Sequence, residues 1–464
     1  MRQHIHGRNI GQVRRARQVL LQEPDLCVGK LLPRERIAAA LQRHRVVFRE
    51  RLYTPLVTLW MFIYQVLGAD QSCRAAVARL LASLGVRGVP LASAETGAYC
   101  KARQRIPEAA VADLVRQSGA GLQARFPDSG LLRGRPIKIT DGTTASMPDT
   151  PANQKAYPQQ PNQKPGLGHP ILRLVGVISL SCGAVLDVAF GAYAGKKTGE
   201  TSLLRQLLGL FQPGDVALAD ALFANYWTIV GLLARGVDVL ARRDGKRLLD
   251  WRSGRRLGRK DHVVVWRKPA RPAWMSRREY RRMPETLRIR EAVVEVRQPG
   301  FRTRQIVVVT TLLDATLYPR EELAAAYRAR WHAELDLRAI KQVMAMDVLR
   351  CKTPAMVRKE IWMHLLAYNL IRTLLAEAAR ADGVRPRELS FKGALQTINA
   401  FAAVWPLAAN PDALYASILK ALATHRVGNR PDRVEPRAVK RRPKEQTFLT
   451  EPRQLARNRL LNGG

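Results

Sequence analysis

Past Pro127 the apolar residues of this chain stop repeating at the helical period and begin to alternate, which confines the middle of the sequence to mixed α/β structure. Arg135-Pro-Ile-Lys-Ile-Thr140 reads as a strand ending at Asp141-Gly142-Thr143-Thr144. The stretch from Met147 to Pro170 carries Pro148, Pro151, Pro158, Pro161, Pro165 and Pro170, so neither helix nor central strand suits it and an ordered loop is expected. Ile171 to Ala194 holds two β-rich runs around Ser181-Cys-Gly183, a hairpin signal, and Thr201 to Phe211 returns to helix. Val216-Ala-Leu-Ala then forms a short apolar run ending in Asp220, with a helix expected over Leu222 to Leu233. Two strands therefore end in acidic residues, and strand ends in mixed sheets are where ligand sites are built. Each aspartate also has a plainer role open to it: Asp141-Gly142 suits a turn, and Asp220 suits the cap of the following helix.

The flanking regions differ. The first 130 or so residues are helical in period, with Glu35-Arg-Ile-Ala-Ala-Ala-Leu and Cys73-Arg-Ala-Ala-Val-Ala-Arg-Leu-Leu broken by Gly85, Gly88 and Pro90. Ser93 is placed to cap a further helix bearing Lys101, Arg103 and Arg105, and a hairpin with a basic second helix is compatible with a reader of the DNA major groove as well as with ordinary helix packing. Between Arg242 and Arg290 there are 18 Lys or Arg and five Asp or Glu, with Trp251, Trp266, Trp274 and Tyr280 interleaved. Val263-Val-Val and Ala292-Val-Val-Glu-Val mark this region as β-rich. Cations that track phosphates, mixed with rings that stack on bases, make it a candidate for DNA contact; the alternative is a basic face with tryptophans tucked beneath it. No internal repeat is visible.

The chain's 77 Lys and Arg against 38 Asp and Glu give a formal net charge of +39 and a pI near 11.1. Repulsion on that scale favours binding to a polyanion, and nucleic acid is the natural one. A membrane is a poorer match, because the most continuous apolar run, Leu56 to Leu67, contains Thr58 and Gln65 and is too short to span a bilayer. It is expected to be a buried core helix. Met1-Arg-Gln-His opens without the apolar stretch of a signal peptide. Cys27, Cys73, Cys100, Cys182 and Cys351 are odd in number and widely spaced, as in a reduced cytoplasmic protein with neither zinc site nor disulfide framework.

The segment Tyr327-Arg-Ala-Arg330-Trp-His-Ala-Glu334, running on to Lys341, reads as one long helix. At about 100° per residue, Tyr327, Arg330, Glu334 and Lys341 share a sector of about 60°, beside an apolar stripe of Ala326, Ala329, Ala333, Leu337, Ile340 and Met344. A carboxylate grouped with two cations and a phenol suits a site holding a divalent ion next to phosphate, although a solvated polar face has the same look. Asp141, Asp220 and Glu334 together form a pattern able to hold two Mg²⁺ ions for in-line attack on a phosphodiester.

Asp141-Gly-Thr-Thr with Met147-Pro-Asp-Thr-Pro, Leu218-Ala-Asp220 followed by Phe223-Ala-Asn-Tyr-Trp, and the Tyr327, Arg330, Glu334, Lys341 spacing resemble the DDE transposases of bacterial insertion sequences. More narrowly they resemble insertion-sequence family four, whose hallmark is a Tyr, Arg, Glu, Lys signature in the final acidic helix. The resemblance runs from roughly Tyr99 to Tyr368. It implies a fold class of α/β type with an RNase H-like core, and this division: residues 1–132 a helical DNA-binding region, 133–241 the first part of the core, 242–315 a basic β-rich insertion, 316–380 the rest of the core with the acidic helix, and 381–464 a helical region ending in a basic tail. Asp141, Asp220 and Glu334 would be the metal-binding catalytic triad, holding two Mg²⁺ that Mn²⁺ can replace. Tyr327, Arg330 and Lys341 would contact DNA phosphates near the element end. Trp251, Trp266 and Trp274 are candidates to hold a flipped base. One departure is Ala221-Leu222 after the second aspartate, where many relatives have Arg or Gly.

The function so implied is cut-and-paste transposition: cleavage at the ends of an insertion sequence and strand transfer into target double-stranded DNA, in some relatives through a hairpin. The partners implied are a homodimer in a synaptic complex and both DNA duplexes, with no membrane, in the bacterial cytoplasm. Two other readings keep the same residues: a transposase-derived regulator that binds without cutting, and an RNase H-like nuclease that cuts without joining. The tail, with Lys440-Arg441-Arg442 and several prolines, is expected to be poorly ordered.

Overall fold

Thirteen consecutive residues, Pro55–Leu67, are all buried, so the apolar run near the N-terminus is a core helix as its composition predicts. A computed structural model describes residues 11–20, 28–48, 51–89, 93–295, 305–428 and 449–462. Pro90, Cys27 and the Lys440-Arg441-Arg442 run fall outside the described residues. The N-terminal region is built from α1 (Arg34–Arg43), α2 (Pro55–Leu67), α3 (Cys73–Val86), α4 (Gly97–Arg105) and α5 (Glu108–Arg125). Thr54 and Ser72 cap α2 and α3 through their side chains. Ser93 does not cap α4: its hydroxyl accepts from Glu95 N, and Thr96 stands at the cap position. Nor is α4 a freely presented basic helix. Arg103 is 8% exposed, donates to Gln65 Oε1 at 3.2 Å and lies over the Phe62 ring, so it serves packing.

The middle of the chain forms one sheet of nine strands: β1 (Ile137–Ser146), β2 (Ile171–Ser179), β3 (Val185–Ala192), β4 (Val216–Ala219), β5 (Asp238–Arg242), β6 (Arg255–Gly258), β7 (Asp261–Arg267), β8 (Thr286–Glu295) and β9 (Gln305–Thr310). Their order across the sheet is β3-β2-β1-β4-β5-β9-β8-β7-β6. The pairs β1/β4 and β4/β5 are parallel; every other pairing is antiparallel. The hairpin around Gly183 forms as expected, with that glycine at φ 77°. Three local expectations are corrected. The strand does not end at Asp141; β1 continues to Ser146, because its second half pairs in unbroken register with the apolar β2. The proline-rich stretch contains a short helix, α6 (Pro151–Ala156), where Thr150 caps and Pro151 occupies the first turn, the one helical place a proline favours. After α7 (Glu200–Leu207), the helix predicted from Leu222 starts later as α8 (Tyr226–Leu233), capped by Asn225 rather than Asp220.

Period-two alternation splits the sheet's apolar residues between two layers. Ile139, Leu174, Leu218 and Leu240 face one core, shared with Ala326, Ala333 and Leu337 from α9 (Arg320–Ala329) and α10 (Trp331–Arg338) and with α11 (Pro354–Ala381). Val175, Ala217, Ala219 and Val239 face the other, against α7 and α8. The basic region adds β6, β7 and β8 to the same sheet, and β9 closes it onto β5. A buried Asn369 on α11 fastens helix to sheet: its amide donates to Val185 O, Val115 O and Ser118 Oγ, and its carbonyl accepts from Val185 N. Gly119 makes room for this junction, since a Cβ there would stand 2.3 Å from Val185 O. Helices α12 (Phe391–Val404) and α13 (Pro411–Thr424) pack at the C-terminal side.

Candidate catalytic site

Strand register brings the first two acids together. In the parallel pair β1/β4, Ile139 stands opposite Leu218, and both side chains face the α9/α10 core. Asp141 lies two residues further along β1 and Asp220 follows directly on the end of β4, and the two carboxylates lie close enough for Asp220 to act on Asp141. Asp141 Oδ1 accepts from its neighbour Gly142 N at 2.9 Å; Asp220 Oδ1 accepts from Leu222 N at 3.0 Å. Both therefore sit within extended or turn backbone that fixes them, and neither caps a helix.

The third acid arrives from the helical layer. Ala333 and Leu337 bury one face of α10 in the core beneath β1, which holds Glu334 beside that strand. The expected single helix is in fact three pieces: α9, α10 and a π-helical turn at Ala339–Val343. At the first join Arg330 N bonds Tyr327 O and Ala333 N bonds Arg330 O, three-residue spacings that tighten the turn without leaving helical dihedrals. Arg330 Nη2 donates to Glu334 Oε1 at 2.6 Å.

The charges of the group act on one another. Burial pushes the Asp141 carboxyl up to about 6; Arg330 and the Gly142 N–H oppose that rise, while Asp220 and Glu334 add to it as like charges. Burial also raises the Tyr327 phenol, countered by Arg330 and Arg242. Burial works against the Arg330 guanidinium, yet Tyr327, Glu334 and Asp141 hold it above its ordinary value. Asp141, Asp220, Glu334, Tyr327 and Arg330 thus form one electrostatic unit. Lys341 is half-buried on the π-helical turn, beyond the second change of helical pitch.

The donor types suit a hard divalent cation, being three carboxylates, and Asp141, raised in part by the charges of the other two, would gain from a shared positive ion. Among the described residues no group of three or more His, Cys, Asp or Glu is placed to hold a metal ion, so Asp141, Asp220 and Glu334 do not form a ready-made chelate in this arrangement. Glu334 is turned onto Arg330, so chelation by all three acids requires that ion pair to open.

The tryptophans separate by environment. Trp266 is 5% exposed, its Nε1 donates to Glu291 Oε1 at 3.3 Å and Arg247 covers its ring, so it belongs to the core and offers no face to a base. Trp251 is half-buried against His262, with ring centroids 4.7 Å apart. Trp274 is 40% exposed beneath the Arg205 guanidinium.

Two features escaped the sequence reading. Glu200 at the start of α7 lies over the middle of β1, where a Cβ on Gly142 would stand 2.6 Å from its carboxyl carbon; its charge reaches Asp220, and Arg173 Nε lies 3.8 Å from Oε1. A glycine inside a strand was the one signal for that close approach. Asp336, two residues past Glu334, is fully buried between Arg372 and Arg387. Nothing in its spacing distinguishes it from a solvated residue.

The chain is a strongly basic α/β protein with one acidic residue within a strand, one directly after the neighbouring parallel strand and one on a helix beside them, and its class follows from the family it matches. Residues 132–370 match the transposase DDE domain model, and the chain belongs to the DDE transposases. It is 26% identical over 381 residues to the transposase InsG for insertion sequence element IS4 of Escherichia coli strain K12, covering 80% of this chain and 81% of that one. It is 35% identical over 69 residues to the putative transposase InsL for insertion sequence element IS186A of the same strain, 15% of this chain and 19% of that one. Among solved structures, piggyBac transposase in a synaptic complex with hairpin DNA aligns with a TM-score of 0.40 at 8% identity, covering 83% of this chain and 88% of that one. The chain is therefore a DNA transposase, an enzyme of a family that works on DNA with divalent metal ions. Among the described residues no helix is long and apolar enough to cross a membrane.

Proposed function

We propose that Asp141, Asp220 and Glu334 are the catalytic and metal-binding triad, taking two Mg²⁺ ions, or Mn²⁺ in their place, within an RNase H-like core. The observation that carries this is the β1/β4 pairing, which brings Asp141 near Asp220, with Glu334 on α10 close enough to act on the same carboxyl. The mixed sheet with helices on both faces supports the RNase H-like reading. Bound divalent ions supply charge that activates the attacking oxygen and steadies the leaving one. Asp141 and Asp220 hold their carboxylates rigidly, by strand backbone and by the Leu222 N–H. Arg330 answers to two partners: it pairs with Glu334 in the free protein, and releases that carboxylate as it turns to a DNA phosphate. Tyr327 and Lys341 contact the same backbone, and Trp251 or Trp274 holds a displaced base.

The reaction is cleavage by water at each element end, then attack of the freed 3′ hydroxyl on a phosphodiester and joining to target DNA. A hairpin route is compatible with this order. A homodimer synapses the two ends, working in the bacterial cytoplasm. No covalent protein intermediate is required, so no Ser, Tyr or Cys nucleophile is assigned. The test is direct: Asp141→Asn, Asp220→Asn and Glu334→Gln should each abolish Mg²⁺-dependent cleavage while end-DNA binding persists. Cleavage retained by any one removes that residue from the triad. Strand transfer from pre-cut ends separates this activity from that of a simple nuclease.

A further inference from the structure

A cleft of about 670 Å³ opens between the β6–β7 turn, the end of β8 and the outer side of α9. Its walls carry Arg259, Lys260, Arg320 and Arg328 against Glu295 and Glu321, four positive charges to two negative. Two of the cations are anchored by backbone and, among the described residues, not by carboxylates: Arg320 Nη1 donates to Arg259 O at 2.9 Å, and Arg328 Nη1 donates to Glu295 O at 3.2 Å. A carbonyl fixes a guanidinium without cancelling its charge, and most of the five N–H donors of each remain available. Ala324, one turn from either arginine, keeps the floor free of bulk. This is an oriented anion-binding surface, and phosphate is the anion that a planar guanidinium fork matches.

Its position relative to the acids gives it a role. Arg328 precedes Glu334 by six residues and Arg320 by fourteen, so at about 1.5 Å per residue they stand roughly 9 and 21 Å back along the helical path. Charges on one DNA strand recur about every 3.4 Å along the axis, so that interval spans roughly three to six phosphates. We propose that this cleft grips the sugar-phosphate backbone of the duplex being cut, about three to six phosphates from the scissile one. The assignment rests on Glu334 marking the site of cleavage. The insertion strands and the acidic helix then share a DNA track, each supplying one wall.

The experiment uses the full-length protein with Arg320→Ala/Arg328→Ala and, separately, Lys260→Ala, binding element-end duplexes lengthened stepwise on either side of the cleavage point. The double variant should lose the affinity gained when one side is lengthened from about two to about six base pairs, since those phosphates are the ones the cleft would hold. With two contacts gone, the loss of affinity between about 50 and 200 mM salt should be roughly tenfold smaller than for the unmodified chain. Cleavage at saturating DNA should stay near normal, and Arg320→Lys/Arg328→Lys should restore most of the salt dependence. An unchanged salt slope and length dependence in the double variant overturns the proposal. Glu334→Gln keeps the two readings apart: lost cleavage with a normal slope upholds the triad whatever the cleft does, whereas normal cleavage by Glu334→Gln removes the reference point while leaving the slope measurement intact.

Discussion

Asp141 shows what a single half-buried carboxylate costs its fold. Its raised value of about 6 exceeds the ordinary unfolded value of about 3.9, so between those limits the folded chain binds the extra proton. The sign follows: this group's contribution to stability is greatest below about pH 4 and is lost as pH rises through about 6. Asp141→Asn should therefore melt at a higher temperature than the unmodified chain at pH 7, with the gap closing as pH falls towards 4. His332 runs the opposite way, since burial lowers it to about 4 and its neutral form is the one folded, so acid destabilises through it. Comparing the two chains at each pH cancels that contribution, which both share. Calorimetric scans across pH 4 to about 8 in the absence of divalent ions measure the difference, and an equal melting temperature at every pH would mean that Asp141 is not strained by its surroundings. Adding Mg²⁺ should raise the melting temperature of the unmodified chain more than that of Asp141→Asn, because binding to the folded state alone stabilises it. Asp141, Asp220 and Glu334 were all legible as candidates because residue type and spacing carry chemistry. Their neighbours Glu200 and Arg242 were not, because only the folded register brings them near.

At the scale of elements, the acidic helix shows where periodicity stops being informative. Its apolar stripe correctly predicts which face is buried, but the tight join at Arg330 and the π-helical turn after Arg338 leave no mark in a pattern read at about 100° per residue. What fixes the rotation of α10 is instead Asp336. Burial alone would raise its carboxyl, but Arg387 and Arg372 hold it below its ordinary value. Arg387 Nη2 reaches Asp336 Oδ2 at 3.0 Å and Ser179 O at 3.0 Å, and Tyr368, bonded to Arg372 Nε, donates to Gly183 O at 3.0 Å. The helix carrying Glu334 is thereby tied to the β2–β3 hairpin, whose first strand is the antiparallel partner of the strand bearing Asp141. Removing one member leaves buried arginines without a counter-charge, a loss of about 3–5 kcal/mol for such a group. Asp336→Ala and Asp336→Asn should therefore both cost stability on this scale, Asn somewhat less because its one amide oxygen still accepts from an arginine. If Asp336→Asn folds, denaturant unfolding gives its stability, and the Mn²⁺ concentration for half-maximal cleavage should rise as Glu334 loses its fixed bearing. Equal unfolding midpoints for the Ala variant and the unmodified chain would show that the triad of charges does not anchor α10.

For the whole molecule, the run of cations and tryptophans between Arg242 and Arg290 reads as a β-rich insertion into the larger domain because composition is all a linear pattern offers there. How its residues pack is set by the fold. Ala292, Val294, Ile306 and Val308 enter the same core as Ile139 and Leu218, while Trp266, Leu287 and Ile289 enter the one beneath α7 and α8. Arg290, wholly buried, bonds Asp261 Oδ2 at 2.6 Å and Tyr318 O at 2.7 Å, fastening β8 to the approach of α9. Replacing residues 244–303 with a short linker would strip apolar partners from both layers and leave β9 paired on one side only, beside a longer exposed edge. An independent insertion would survive that excision as a smaller core with its original melting temperature. The shared sheet predicts the opposite outcome: loss of cooperative unfolding, with aggregated or expanded protein seen by light scattering. In the intact chain, the same sharing predicts one calorimetric transition for sheet and insertion together, and two separate transitions would restore the insertion as a body of its own.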